Sequence, residues 1–303
     1  MAQPDYAPLF EWVRKREAIR VRRAAGAPPP YTDDPILANY RFCNVRREDD
    51  TVTAWIRTNI REPFADHPLL WFMLCVARQI NWPETLADLI ASPRAWPTGN
   101  MFDLQAMEDA IAARFASGAK TWTGAYVIAA GKAGVAKHVH VVRNVLAPLY
   151  EDRMLFARHF QLPPQRLQAT HALLASYDGW GDFMAYQSIV DMRFTGLLNG
   201  ALDVAAWAAA GPGTLRGLNR LHGRKLEARI DQGQALLEMR AIDAVVRRET
   251  GVEMDFSDIP NILCETDKFL RARNGEGSPR SKWEPLAPPT PKSAAQTELF
   301  GPA

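Results

Sequence analysis

Apolar positions along the chain recur at helical spacing in most segments, which predicts a protein built from helices rather than strands. A first helix is expected over 6–25, ending at Gly26 and the run Pro28-Pro29-Pro30, where a proline cannot continue it. Tyr31-Thr32-Asp33-Asp34-Pro35 carries N-capping side chains and leads into a helix expected over 36–46. A helix over 49–60 places Val52, Trp55 and Ile56 on one face, and 69–79 is apolar almost all round, as in a buried helix. An amphipathic helix follows over 104–117. The stretch 121–142 is ambiguous: 135–142 alternates like a strand, whereas a helix over 136–150 competes for the same residues. Long helices are then expected over 162–177, 183–198, 215–221, 226–250 and 259–270. The expected fold class is all-α.

Composition shifts past Gly275. Pro285-Leu286-Ala287-Pro288-Pro289-Thr290-Pro291, followed by small polar residues, cannot bury enough apolar surface to order itself. The chain is therefore expected to divide into a helical domain, 1–284, and a flexible Pro-rich tail, 285–303. Near the tail's end, Gln296-Thr297-Glu298-Leu299-Phe300 resembles the short peptide by which bacterial replication proteins dock on the sliding clamp. Gln296, Leu299 and Phe300 would carry that contact, and an inert tail is the alternative reading.

Charge narrows the picture little. Thirty-six Lys and Arg stand against 34 Asp and Glu, so a nucleic-acid surface must be a local patch. Cys43, Cys75 and Cys264 are an odd number without short spacing, which excludes a disulfide framework or zinc ribbon. The longest apolar stretch, 68–77, is too short to span a bilayer, and the N-terminus does not look like a signal peptide. A soluble protein of the reducing cytoplasm is expected.

Three segments carry candidate chemistry. In Tyr177-Asp178-Gly179-Trp180-Gly181-Asp182-Phe183, two glycines flank one large residue between two helical runs, the outline of a helix-hairpin-helix. Such a turn lets backbone N–H groups approach a phosphate without reading sequence. Gly179, Trp180 and Gly181 are thus candidate DNA contacts, with Trp180 either wedged against DNA or plugging the hairpin. Gly211-Pro212-Gly213 opens a second helix on which Arg216, Arg220 and Arg224 fall four residues apart. With Lys225 and Arg229 this stripe suits a polyanion, DNA backbone or pyrophosphate, or forms a solvated basic face. The Gly-Lys-Ser/Thr ending of a nucleotide-hydrolysing loop is missing. The third segment places Cys264 and Lys268 one turn apart with Glu265 between them, so a thiolate or a proton acceptor could form there, or an ordinary core cysteine. Asp191, further along the helix after the hairpin, could be a base or could pair with Arg193 or Arg216. His138 and His140 lack a third ligand at metal spacing, so no metal site is expected.

Taken together, these segments resemble the phage alpha-glutamyl/putrescinyl thymine pyrophosphorylase family. Its members share a helical domain with 5-hydroxymethyluracil DNA kinases and are also described as amino acid:DNA transferases. The matching pieces are Arg22-Arg23-x-x-Gly26, Thr32-Asp33-Asp34-Pro35-Ile36-Leu37, Tyr40-Arg41-Phe42-Cys43-Asn44-Val45-Arg46-Arg47-Glu48, Thr123-Gly124-Ala125-Tyr126, Gly179-Trp180-Gly181-Asp182-Phe183-Met184-Ala185-Tyr186-Gln187, Gly211-Pro212-Gly213 with Arg216-Gly217-Leu218-Asn219, and Leu263-Cys264-Glu265-Thr266-Asp267-Lys268.

The resemblance implies a fold related to the helix-hairpin-helix DNA glycosylases. It also implies a reaction on double-stranded DNA: an amino acid or polyamine nitrogen displaces pyrophosphate from a thymine bearing a pyrophosphorylated hydroxymethyl group. Where many glycosylases carry a lysine two residues after the second glycine, this chain has Phe183, which removes a glycosylase-style lysine nucleophile. On this reading Arg216, Arg220 and Arg41 take the pyrophosphate, and Asn44, Gln187 and Asn219 belong to the base and pyrophosphate site. Asp191 or Glu265 deprotonates the amine, with Lys268 beside it. Cys264 is a candidate for transient attack at C6 of the pyrimidine. No cofactor is expected beyond a small amino acid co-substrate, for which glycine is the first choice, with serine, glutamate and putrescine open, although Mg2+ can accompany pyrophosphate. A hydrolytic glycosylase would instead release free base, and a non-catalytic adaptor would bind DNA without turnover.

Overall fold

In the computed structural model the described residues are 3–99, 101–124, 131, 134–279 and 281–283. The Pro-rich tail with Gln296, Leu299 and Phe300, and the pair Ala125 and Tyr126, lie outside them. The described chain is mainly helical, without a β-strand among the described residues, although Tyr40 and Lys282 form an isolated antiparallel bridge. In chain order the helices are α1 (Ala7–Ala24), α2 (Pro35–Asn39), α3 (Thr51–Ile56), α4 (Leu70–Ile80), α5 (Pro83–Ile90), α6 (Leu104–Ala116), α7 (Lys137–Val139), α8 (Ala147–Glu151), α9 (Arg153–Gln161), α10 (Leu167–Ala175), α11 (Gly181–Arg193), α12 (Pro212–Leu221), α13 (Gln232–Thr250) and α14 (Ile259–Arg273).

Local signals set many of the boundaries. Asp34 caps α2 by accepting from Ile36 N at 3.0 Å and Leu37 N at 3.1 Å, and Asp231 caps α13 through Gln234 N at 2.8 Å. Left-handed Asn81 (φ 48°) and Gly251 (φ 68°) close α4 and α13. Every residue of α4 is buried, as its all-round apolar sequence requires.

Other boundaries depart from expectation. Residues 135–142 are not a strand: Lys137–Val139 runs into a π-helical turn, His140–Leu146, that buries Val141, Val142, Val145 and Leu146. The spacing of those four is helical, and the alternation before them is incidental. The helix expected over 162–177 starts only at Leu167, after Pro163-Pro164. The helix expected over 36–46 stops at Asn39, and the chain then runs extended because its backbone donors are taken by distant side chains described below.

α12 lies unusually close to α14. A Cβ on Gly217 would collide with the Leu263 carbonyl oxygen, and one on Gly213 with Cys264 Sγ. These glycines, one turn apart, therefore serve helix contact. Elsewhere, Asp191 on α11 is fully buried against α4. Arg78 Nε donates to its Oδ2 at 2.5 Å and Nη2 to its Oδ1 at 2.8 Å, while Nη2 and Nη1 also reach Thr53 Oγ1 and Asn81 Oδ1. A carboxylate with both oxygens on a buried guanidinium is not available as a base, which corrects the catalytic reading of Asp191. Removing one partner strands the other charge in the core. Asp191→Ala is therefore expected to destabilise the fold by about 3–5 kcal/mol, measured by denaturant unfolding; a variant of native stability would refute the structural role.

Candidate functional site

The two glycine turns sit side by side, but the arginine stripe does not face them as a free ridge. Gly179 (φ 81°) and Gly181 (φ 43°) turn the chain between α10 and α11, and a Cβ on Gly179 would fall 2.6 Å from Val145 Cγ2. Trp180 is buried and its Nε1 donates to the Val145 carbonyl at 3.1 Å. Its ring plugs the hairpin, which corrects the reading of Trp180 as a DNA wedge. Phe183, exposed at the start of α11, reaches the second turn at Gly211. Asp182, in the first turn of α11, already places a carboxylate at the positive end of that helix.

α12 ends at Leu221, so Arg224 falls outside the helix and off the expected stripe, and all three arginines are paired with acids from α13, α14 or the turn after α14. Arg216 Nη2 lies 2.8 Å from Asp267 Oδ2, Arg220 Nε lies 2.6 Å from Asp267 Oδ1, and Arg220 also pairs with Glu276. Arg224 forks onto both oxygens of Glu238 at 2.6 Å. Asn219, buried, donates to the Leu226 and Ala228 carbonyls and accepts from Arg224. These four residues brace α12, α13 and α14 together. Lys225 remains exposed, with no ion pair to another described residue.

The opposite flank of α14 holds a stretch of extended chain. Asp258, Asn261 and Glu265 fall at i, i+3 and i+7, one helix face. Asp258 Oδ1 accepts from Arg47 N at 2.9 Å, Asn261 Nδ2 donates to the Asn44 carbonyl at 3.0 Å, and Glu265 Oε2 accepts from Cys43 N at 3.0 Å. One turn along, Lys268 Nζ pairs with Glu265 at 2.6 Å and sits 4.6 Å from the Phe42 ring centroid. Burial opposes the charge on Lys268, but Glu265 beside it raises the ammonium's pKa on balance. Burial pushes Cys264 up to about 11 and Cys43 well above the usual thiol range. Cys264 is thus a neutral thiol packed on Gly213, and Glu265 and Lys268 are committed to the backbone and to each other. Gln187 accepts from Arg47 Nη2 at 2.5 Å, bracing the same segment.

What this clamp supports is the wall of a cavity of about 460 Å³. Arg16 and Arg23 reach it from α1, Tyr31 and Thr32 from the capping loop, and Tyr40, Arg41, Phe42 and Asn44 from the extended segment. Asp50 and Thr51 line it from the start of α3, Trp82 and Glu84 from the start of α5, and Trp283 from the returning C-terminal segment. That segment is stitched on by Arg41 N to Ser281 O at 3.0 Å and Trp283 N to Asn39 O at 2.9 Å.

Arg16 is 6% exposed; its Nε donates to the Cys43 carbonyl at 2.9 Å, yet its Nη1 has no partner among the described residues. Burial pulls its pKa down, an effect that Asp50 partly offsets. Burial in turn raises Asp50 to about 6, even though its Oδ1 accepts from Asn44 N at 2.7 Å. Arg41 is exposed and forms no ion pair among the described residues.

Of the residues singled out from sequence, Arg41 and Asn44 line this cavity, while Gly179, Gly181, Gln187, Asp191, Arg216, Asn219, Arg220, Arg224, Lys225, Cys264, Glu265 and Lys268 do not. Sequence reasoning missed Arg16, Asp50 and Trp82. Arg16 had a signal: it interrupts the buried stripe Leu9, Trp12, Val13, Ile19 of α1 at helical spacing. Asp50 and Trp82 had none.

The family profile described as "5-hmdU DNA kinase, helical domain" matches residues 4–278. A 5-hmdU DNA kinase of Bacillus phage SP10 is 24% identical over 224 residues, which cover 67% of this chain and 34% of that protein. The chain thus spans about a third of the length of the curated relative it matches. No solved structure matches. The profile takes in α1 through α14, including every wall of the cavity except Trp283, and the chain belongs to the family of the 5-hmdU DNA kinase helical domain.

Proposed function

We propose that this protein is a phage enzyme of thymine hypermodification, acting on DNA in the infected host. In this reading an amino acid amine displaces pyrophosphate from 5-pyrophosphoryloxymethyluracil, and the cavity beside α1 receives the extruded base. The observation that carries it is the convergence of three arginines, Arg16, Arg23 and Arg41, on the wall of one cavity, none of them in an ion pair with a carboxylate among the described residues. A buried cation without a carboxylate partner is costly unless something anionic or carbonyl-bearing joins it. Three segments that carry the family resemblance, around Arg23, Thr32 and Tyr40 to Asn44, converge on this one cavity. The helix-hairpin-helix reading is retained for the α10–α11 turn, where exposed Gly179 and Gly181 are assigned to the DNA backbone.

The chemistry follows from the groups available. A base within the duplex hides its 5-substituent, so extrusion is required, at a few kcal/mol. The amine lone pair forms a bond to the base methylene carbon as the carbon–oxygen bond breaks and pyrophosphate leaves. Arg41 and Arg23 are assigned to the charge that develops on it. The amine's proton passes to Glu84, the carboxylate on the α5 rim of the cavity. In this reading Mg2+ enters as a counter-ion carried by pyrophosphate. Cys264, neutral and packed on α12, takes no part.

Three outcomes are expected, read as released pyrophosphate and as nucleoside mass on kinase-treated 5-hydroxymethyluracil DNA with mixed amines. Arg41→Ala keeps stability within about 0.5 kcal/mol and lowers transfer by roughly 100-fold. Cys264→Ser retains transfer, and its loss would restore the thiol route. Glu84→Gln slows transfer at neutral pH and recovers at alkaline pH, where the free amine is already uncharged; an unchanged pH profile removes Glu84 from the mechanism. Free base with an abasic site would point to a glycosylase, and DNA binding without any product would overturn the enzymatic reading.

A further inference from the structure

One side of the cavity is added by chain that returns after α14. Residues 281–283 lie along 39–41 as a single antiparallel bridge, Tyr40 against Lys282. Two backbone hydrogen bonds flank it, Arg41 N to Ser281 O at 3.0 Å and Trp283 N to Asn39 O at 2.9 Å. Ser281 and Lys282 are exposed, and no ion pair to another described residue adds to the attachment. Trp283 lines the cavity and meets Tyr31 with ring centroids 5.9 Å apart and planes at 76°. In a pair crossed at that angle one ring stands edge-on to the other. Whichever ring presents its edge, Tyr31 covers at most one face of the Trp283 indole.

We propose that residues 281–283 are a detachable strap, and that Trp283 closes the cavity by stacking on a nucleobase lodged in it. This rests on the base-pocket reading above, and adds a residue that touches the base and a segment whose docking is coupled to binding. Every base offers a π-face whatever hydrogen-bonding edge it carries, so an indole at this place adds affinity without choosing among bases. A base resting on Trp283 supplies contact that the strap otherwise lacks. By linkage, whatever the docked strap adds to the affinity for the base, the bound base returns to the docking of the strap.

Arg41 is drawn into the same event. Its amide is one of the two donors that hold the strap, so docking fixes the backbone of the residue assigned above to the pyrophosphate. The other walls do not need the strap: Cys43, Asn44 and Arg47 are held by α14, and Asp34 caps α2. Trp283 can therefore be replaced without unmaking the cavity.

The test is binding of the full chain to two short single-stranded oligonucleotides, identical except that one carries 5-hydroxymethyluracil where the other has an abasic site; single strands remove the cost of extrusion. The wild-type protein is expected to prefer the base-bearing strand, Trp283→Ala to lose about tenfold of that preference in Kd, and Trp283→Phe to keep most of it, both variants retaining the wild-type Tm. Hydrogen exchange reads the strap itself, because the Arg41 and Trp283 amides are its two donors. The base-bearing strand is expected to slow exchange at both amides, and the abasic strand to leave them as in the free protein. An Ala variant with the wild-type preference overturns the stacking, and equal exchange with either strand overturns the coupled strap; in both cases the base pocket stands. A wild type that binds the two strands alike refutes the pocket itself and the strap with it.

Discussion

The close approach of α12 to α14 through Gly213 and Gly217 is the constraint from which the site follows. With Gly217 against the Leu263 carbonyl and Gly213 against Cys264, no side chain intervenes, and the two helices lock at a distance that larger residues would not permit. Two consequences lie on α14 itself. Asp267 is brought within reach of both Arg216 and Arg220, so the basic residues of α12 are consumed as a brace. Asp258, Asn261, Glu265 and Lys268, roughly a third of a turn further round the helix, are left to face a different partner.

That partner is the stretch from Phe42 to Asn44, without regular structure, and the bend that leads from it into the 3-10 turn at Arg47. Backbone polar groups in such a segment must be satisfied somewhere; here Glu265 and Asp258 accept from Cys43 N and Arg47 N, and Asn261 donates to the Asn44 carbonyl. The same segment turns its Phe42 and Cys43 carbonyls toward Arg16. A buried guanidinium held by neutral carbonyls is positioned without being neutralised, so its charge still acts on whatever enters the cavity. A preorganised charge of this kind acts strongly because it needs no rearrangement when the ligand's charge arrives.

Local signals in the sequence revealed the helices and part of the site. The largely apolar run of α4, the Asp34 cap and the periodicity of α13 and α14 are properties of short windows, and the structure agrees with them. The extended course after Asn39 was not legible, because it is decided by Asp258, Asn261 and Glu265 more than 200 positions away. For the same reason Arg216, Arg220 and Arg224 read as a free stripe: α12 stops at Leu221, before Arg224, and the acids that pair with the three stand on α13 and α14 and after α14, where local spacing cannot show them. Trp180 and Asp191 carried the right residue types in suggestive places, but burial is a property of the assembled core. Arg16 reverses the case, since its place in the buried stripe of α1 was written in the sequence and only the cavity gave it meaning.

Charge pairing also separates the arginines by task. Those with carboxylate partners, Arg78, Arg216, Arg220 and Arg224, hold helices together, and each would leave an unpaired acid behind if recruited to a ligand. Among those in no ion pair with a described carboxylate, Arg16 in the interior and Arg23 and Arg41 at the surface leave no acid unpaired when committed elsewhere, and all three border one cavity. A formal net charge of only +2 then poses no difficulty for a protein that handles a polyanion. Attraction depends on the potential in the cleft, not on the total, and a few cations kept free of partners supply it locally while the rest of the chain stays balanced.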